Sequence, residues 1–236
     1  MRHFRMSTLS LLVVGLCVVS LSLNGCGPKQ ESPAKKDRGV EKGTESVAKT
    51  QTAPVPSTAP ITQEKIFYDF ELADLDGWEI PIWAVPKPEY VAKEVVISDE
   101  AVSSGNTSMK VTADFPGATW TAALVEIQQF LNLSAYRVIR VDVYLPKDAP
   151  VGLKAKLILT VGNNWKFVEM SRSVPLIPGE WVTITANIEP GSYDWKRIVP
   201  DETFSEDVRK IAIRIESNNK PAYTGSVYVD NVRAGW

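Results

Sequence analysis

From Ile66 onward the chain alternates apolar and polar residues with a period of two. In YRVIRVDVYL, Val138, Arg140, Asp142 and Tyr144 alternate with Ile139, Val141, Val143 and Leu145. Successive side chains of a strand point to opposite faces, so this pattern predicts a half-buried β-strand. LKAKLILTV repeats it, with Leu153, Ala155, Leu157, Leu159 and Val161 facing inward and Lys154, Lys156 and Thr160 outward. In RKIAIRIES the isoleucines 211, 213 and 215 share one face, and Arg214 and Glu216 share the other. TWTAALVEIQQ, EWVTITANI and TSMKVTADF read as further strands. Turn residues separate these segments at Pro116-Gly117, Gly162-Asn163-Asn164, Pro178-Gly179 and Pro190-Gly191. Helix is expected only in two short stretches, 131–136 and 204–208. The closing VYVDNVRAGW predicts a last strand interrupted by Asp230 and Asn231, both poor strand formers. Many short strands of this kind predict an all-β fold of two antiparallel sheets packed as a sandwich.

The first 65 residues follow a different pattern. A basic start at Arg2, His3 and Arg5 precedes an apolar run over 9–23, too short for a comfortable membrane span. LNGC ends this run at Cys26 and resembles the lipobox of bacterial lipoproteins. The resemblance implies a signal peptide at 1–25, acylation of Cys26 and a lipid anchor in the cell envelope. Gly27 follows the cysteine where an Asp would favour inner-membrane retention. In the Gram-negative lipoproteins it resembles, this implies the outer membrane if the host has one, facing the periplasm or the surface. Residues 27–65 lack aromatics and are rich in Pro, Thr, Ser, Lys and Glu. Such a segment buries too little surface to offset its ordering entropy, so 26–65 is expected to be a disordered tether spanning roughly 35 Å.

Composition then narrows the chemistry of the domain expected at 66–236. The only histidine is His3, and the only cysteine besides Cys26 is Cys17, so neither type falls in the domain. Histidine triads, thiol nucleophiles and Cys/His zinc sites are excluded there. The domain carries 17 Lys and Arg against 23 Asp and Glu, a net charge of −6, with no basic stripe. Nucleic acid is not an expected partner.

Five stretches in order carry a resemblance: YDFELADLDGW at 68–78, SSGNTSMKV at 103–111, LNLSAYRVIRVDVYLP at 131–146, GEWVTITANI at 179–188 and YTGSVYVDNV at 223–232. Together they resemble the jelly-roll carbohydrate-binding modules with a galactose-binding-like fold, such as families 4, 9 and 22. That resemblance implies first and last strands lying side by side, and a structural Ca2+ clipping them to the loop before the next strand. Its ligands here would be Glu71, Asp230 and backbone carbonyls of 103–106, with Asp69 as a spare carboxylate. Calcium takes six to eight hard oxygens. Without the metal, both carboxylates would be solvated strand ends.

A polysaccharide or oligosaccharide ligand needs flat aromatic rings and planar polar groups. The outward strand positions offer Glu126, Gln128, Arg140, Asp142, Tyr144, Lys156, Arg214 and Glu216. Trp120 and Trp165, at strand beginnings beside polar loops, are the expected stacking rings. Trp83 and Trp195 are weaker candidates, and Trp78, Trp181 and Trp236 fit core or edge packing better. The simplest geometry puts Arg140, Asp142, Arg214 and Glu216 on one polar face. Alternatively, these residues form routine ion pairs on a solvated sheet. No Glu-x-Asp-x-Glu triplet of the laminarinase kind is present, so catalysis by paired carboxylates is not expected. Non-catalytic glycan binding is the leading expectation. A sandwich serving contacts with another envelope protein is the alternative.

Overall fold

The computed structural model describes residues 63–217, 219 and 221–236. The signal peptide, Cys26 and nearly all of the tether lie outside the described residues. Eleven strands and no helix are found among those described. They are β1 (Lys65–Tyr68), β2 (Ala92–Ser98), β3 (Ser108–Pro116), β4 (Ala122–Leu131), β5 (Val138–Tyr144), β6 (Lys154–Val161), β7 (Lys166–Glu169), β8 (Val174–Pro175), β9 (Trp181–Asn187), β10 (Val208–Glu216) and β11 (Ala222–Gly235). The two expected helices are turns. Asn132 Oδ1 accepts from Ser134 N at 2.9 Å, and Asp201 Oδ1 accepts from Thr203 N at 3.0 Å. These side chains offer the backbone an alternative to helical bonding.

Two antiparallel sheets form the sandwich. Sheet A runs β2-β3-β11-β5-β9, with β1 also on β11, and sheet B runs β4-β10-β6-β7, with β8 also on β6. Alternation puts Val111, Val141, Val143, Val227 and Val229 of sheet A against Val125, Leu157, Leu159, Ile211 and Ile213 of sheet B, all buried. Trp78 is buried among them, its ring edge-on to Tyr68 at 5.5 Å.

β11 runs without a break through Asp230 and Asn231. A bulge absorbs them: the register with β5 shifts between Asp230 and Arg233, and Asn231 takes a left-handed φ of 51°. Asn tolerates that conformation better than most residues. Along one side, β11 pairs with β3 as far as Val229 and with β1 from Val232.

The outward residues of sheet B fall into rows fixed by register. Leu124, Arg214 and Lys156 form one row. Glu126, Ala212, Ile158 and Glu169 form the next, and Gln128, Lys210, Thr160 and Phe167 follow.

Candidate glycan-binding cleft

The outward face of sheet B is not a solvated surface. Leu124 and Ile158 are each 2 % exposed and Ala212 is 3 %, and Tyr90 packs on them as a second apolar cluster outside the main core. The segment 79–91 provides this cover because both its ends are fixed to the free edge of β4. Glu79 N donates to Glu126 O at 3.0 Å and Glu126 N to Glu79 O at 2.9 Å. At the other end Val91 N donates to Ala122 O and Ala122 N to Glu89 O, each at 2.8 Å. Between these anchors Pro81, Pro86 and Pro88 stiffen consecutive turns that carry Trp83 out over the sheet.

Trp83 forms one wall of a groove of about 250 Å³, with Trp165 and Phe167 on the other side and Leu124, Ile158 and Ala212 in the floor. Trp83 stands edge-on to Tyr90 at 5.1 Å, and Lys87 Nζ lies 4.6 Å over its ring. Trp165 ends the turn between β6 and β7, edge-on to Phe130 at 6.0 Å, with the Arg209 guanidinium 5.0 Å from its ring. Both tryptophans are 41 % exposed.

Charged side chains in and around the groove are held in ion pairs. Lys210 Nζ reaches Glu126 Oε1 at 2.6 Å. Glu169 takes Arg214 Nη2 at 2.6 Å and Lys196 Nζ at 2.7 Å. Burial pushes the Glu169 carboxyl up, but the Lys196 hydrogen bond and the Arg214 and Lys156 charges outweigh it and hold the group below its ordinary value. Burial pushes the Lys156 ammonium down against the opposing pull of Glu216 and Glu169. Trp120 lies 5.5 Å over the Arg214 guanidinium and 6.4 Å from Tyr90.

Of the residues expected to meet a glycan, Glu126, Gln128, Lys156, Arg214 and Glu216 lie on this sheet, with Trp120 and Trp165 beside them. Arg140, Asp142 and Tyr144 do not. They belong to β5 in sheet A, so no single face joins them to Arg214 and Glu216. Asp142 is buried and its oxygens are occupied by Arg233 Nη1 at 2.9 Å, Arg233 Nη2 at 3.2 Å and Thr183 Oγ1 at 2.7 Å. Arg140 pairs with Glu64. Tyr144 packs between Trp181 at 5.4 Å and Tyr228 at 6.0 Å. Trp83, Lys210 and Phe167 complete the groove and carried no strong sequence signal. Trp195 is buried against Phe204.

The carboxylates expected to hold Ca2+ do converge on one loop, but backbone N–H groups face them. Glu71 Oε1 accepts from Asn106 N at 2.8 Å and Thr107 N at 3.0 Å, and its Oε2 from Asn106 Nδ2 at 2.9 Å. These bonds hold the exposed Glu71 carboxyl below its ordinary range. Asp230 Oδ2 accepts from Ser103 N at 2.9 Å and Ser104 N at 3.2 Å, and its Oδ1 from Asn231 N at 2.7 Å. Gly105 makes the approach possible, because a Cβ there would lie 2.3 Å from Glu71 Oε1 and its φ is +75°. A carboxylate has about four lone-pair sites. Three are used on each group. The carboxylates clip the loop directly.

A family profile described as "Mannanase, galactose-binding domain-like" matches residues 68–231. Among solved structures, the chain is similar to the Caldicellulosiruptor saccharolyticus module CBM27-1, determined in complex with mannohexaose. Identity is 18 % and the TM-score 0.52, covering 72 % of this chain and 96 % of that one. It is also similar to a CBM28 module described as specific for non-crystalline cellulose, at 17 % identity and a TM-score of 0.52, covering 71 % and 92 %. No curated protein matches the chain. At these identities the structural likeness establishes a shared β-sandwich.

Proposed function

Because the chain belongs to the mannanase, galactose-binding domain-like family, we propose that it is a non-catalytic glycan-binding protein whose ligand lies in the groove of sheet B. The observation that carries this reading is the placement of Trp83 and Trp165 around one groove with Leu124, Ile158 and Ala212. A pyranose presents apolar C–H faces to such rings and hydroxyls to the ion-paired groups beside them. The mannohexaose bound by the CBM27-1 relative makes a β-linked chain of neutral hexoses the first ligand to try. The cleft carboxylates suit binding rather than hydrolysis. A glycosidase acid must keep its proton near neutrality through a raised pKa, whereas the Glu169 carboxyl is held below its ordinary value.

The reading is tested by electrophoresis of the protein through gels containing β-mannan, xylan, soluble cellulose or polyuronate. Retardation by at least one polymer is expected, and reversal by its oligosaccharide. Unchanged mobility in all four would refute glycan binding. Release of reducing sugar would refute the non-catalytic part.

We further propose that Cys26 is acylated, tethering the module to the cell envelope through 26–65. LNGC after a basic start and an apolar run supports this. Cys26→Ser should move the protein from a carbonate-washed membrane pellet into the soluble fraction. Retention in the pellet would end the proposal.

A further inference from the structure

The groove does not stop at Phe167. That ring is 57 % exposed and lines a second hollow of about 270 Å³ at the outer edge of β7. There the segment 196–198 runs beside β7, held by the hydrogen bond from Lys196 N to Glu169 O at 2.8 Å. The second hollow carries Lys166, Lys196 and Arg197 and one acid, Glu169. We propose that this cationic shelf extends the cleft, and that the ligand is a glycan bearing an anionic group, a uronate carboxylate or a sulfate ester, seated on it. The proposal rests on reading the groove as a glycan site.

Three observations support the shelf. First, its charges are not matched within the described residues. Glu169 already serves Arg214 and Lys196, while neither Lys166 nor Arg197 has a described carboxylate within 4.0 Å. Asp201, on the far flank of Lys166, is engaged by Thr203.

Second, positive charge is concentrated behind the shelf. Arg214 and Lys156 sit directly opposite each other on β10 and β6. Like charges in register repel. Lys156 is buried, its one hydrogen-bond partner being Met170 O at 3.2 Å. The domain as a whole has a net charge of −6, yet here Arg214, Lys156, Lys166, Lys196 and Arg197 gather against two acids, Glu169 and Glu216. An incoming anion would offset this excess.

Third, the backbone is strained at this place. Trp165 and Arg197 have left-handed φ values of 52° and 61°. Large side chains rarely adopt that region, and such strain concentrates at ligand sites. Arg197 is thereby held beside the groove, where its planar fork could take two oxygens of a carboxylate or sulfate. A neutral hexose can accept hydrogen bonds from these cations but brings no charge to match theirs.

The test compares the full chain, purified in detergent, on polygalacturonate and alginate, on chondroitin sulfate, on neutral β-mannan and on polyglutamate. At least one acidic polysaccharide should bind more tightly than β-mannan, with an affinity that falls as salt rises. Preference among the acidic polymers would separate carboxylate from sulfate. The double variant Lys166→Gln, Arg197→Asn should lose about tenfold or more on the preferred acidic polymer. It should keep its affinity for β-mannan and its Tm, since Asn tolerates the left-handed backbone.

Tighter, salt-insensitive binding of β-mannan, unaffected by the variant, would overturn the anionic ligand and leave the glycan reading intact. Equal binding of polyglutamate would overturn it too, by revealing a charge patch indifferent to sugar. Binding of none of the polysaccharides would remove both readings.

Discussion

Arg233→Met should destabilise the domain by roughly 3–5 kcal/mol, the usual cost of leaving a buried charge without its partner. Asp230 and Asp142 lie opposite each other on β11 and β5, both buried, and the cation bonded to this pair is Arg233 on Asp142. Asp230 depends on the loop N–H groups instead. Burial pushes its carboxyl above the ordinary value; the N–H bonds of Ser104, Ser103 and Asn231 oppose this, and the charge of Asp142 adds to it.

The sign of the pH effect follows. A carboxyl raised in the folded state binds its proton more tightly there than in the unfolded chain, so its contribution is most favourable below about pH 3.9. That contribution is lost as pH rises through the folded value. Removing Arg233 leaves the two buried carboxylates facing each other without a cation. In urea titrations the gap between variant and wild type should narrow from about pH 7.5 to about pH 4.5, and Asp142→Asn should recover part of it. A variant within about 1 kcal/mol of wild type, or a gap that widens in acid, would count against this account.

Trp83→Ala with Trp165→Asn should abolish glycan binding and leave folding intact. Buried aromatic anchors in binding sites commonly contribute about 2 kcal/mol or more, roughly thirtyfold in affinity for each ring. Both rings are substantially exposed in the free protein, so core packing loses little. Asn suits the left-handed φ of position 165 better than Trp does. Arg140→Ala, on the opposite sheet, should leave affinity unchanged. Titration calorimetry with the polymer that retards the wild type decides the matter. A loss below about threefold in the double variant would place the ligand elsewhere.

The strands were legible because burial imposes the period of two. The alternation in β5, β6 and β10 marks which side chains share a face within each strand. It does not reveal which sheet a strand enters. Arg140 and Arg214 look equivalent in sequence, yet β5 pairs with β11 and β10 pairs with β6. Pairing of that kind is set by the whole topology.

Trp83 was hard to recognise for a related reason. Its proline-rich surroundings read as a loop, and the backbone bonds of Glu79 and Ala122 that place it over sheet B involve no side chain. Around Asp230, proximity to the 103–106 loop was foreseeable from the resemblance. Whether that loop would present carbonyls or N–H groups depends on local backbone angles, such as the φ of +75° at Gly105, which the residue types alone leave open.

β11 holds three strands, β3, β5 and β1, yet it comes last in the chain order of the domain. During synthesis sheet A therefore has no centre until the final strand is available. β3 and β5, separated by β4 in sequence, each wait with an unpaired edge and an apolar face. Such long-range closure folds slowly and leaves nascent chains prone to aggregate. A chain cut before Ala222 would have sheet B complete and sheet A in pieces, so the domain's assembly is governed from its far end.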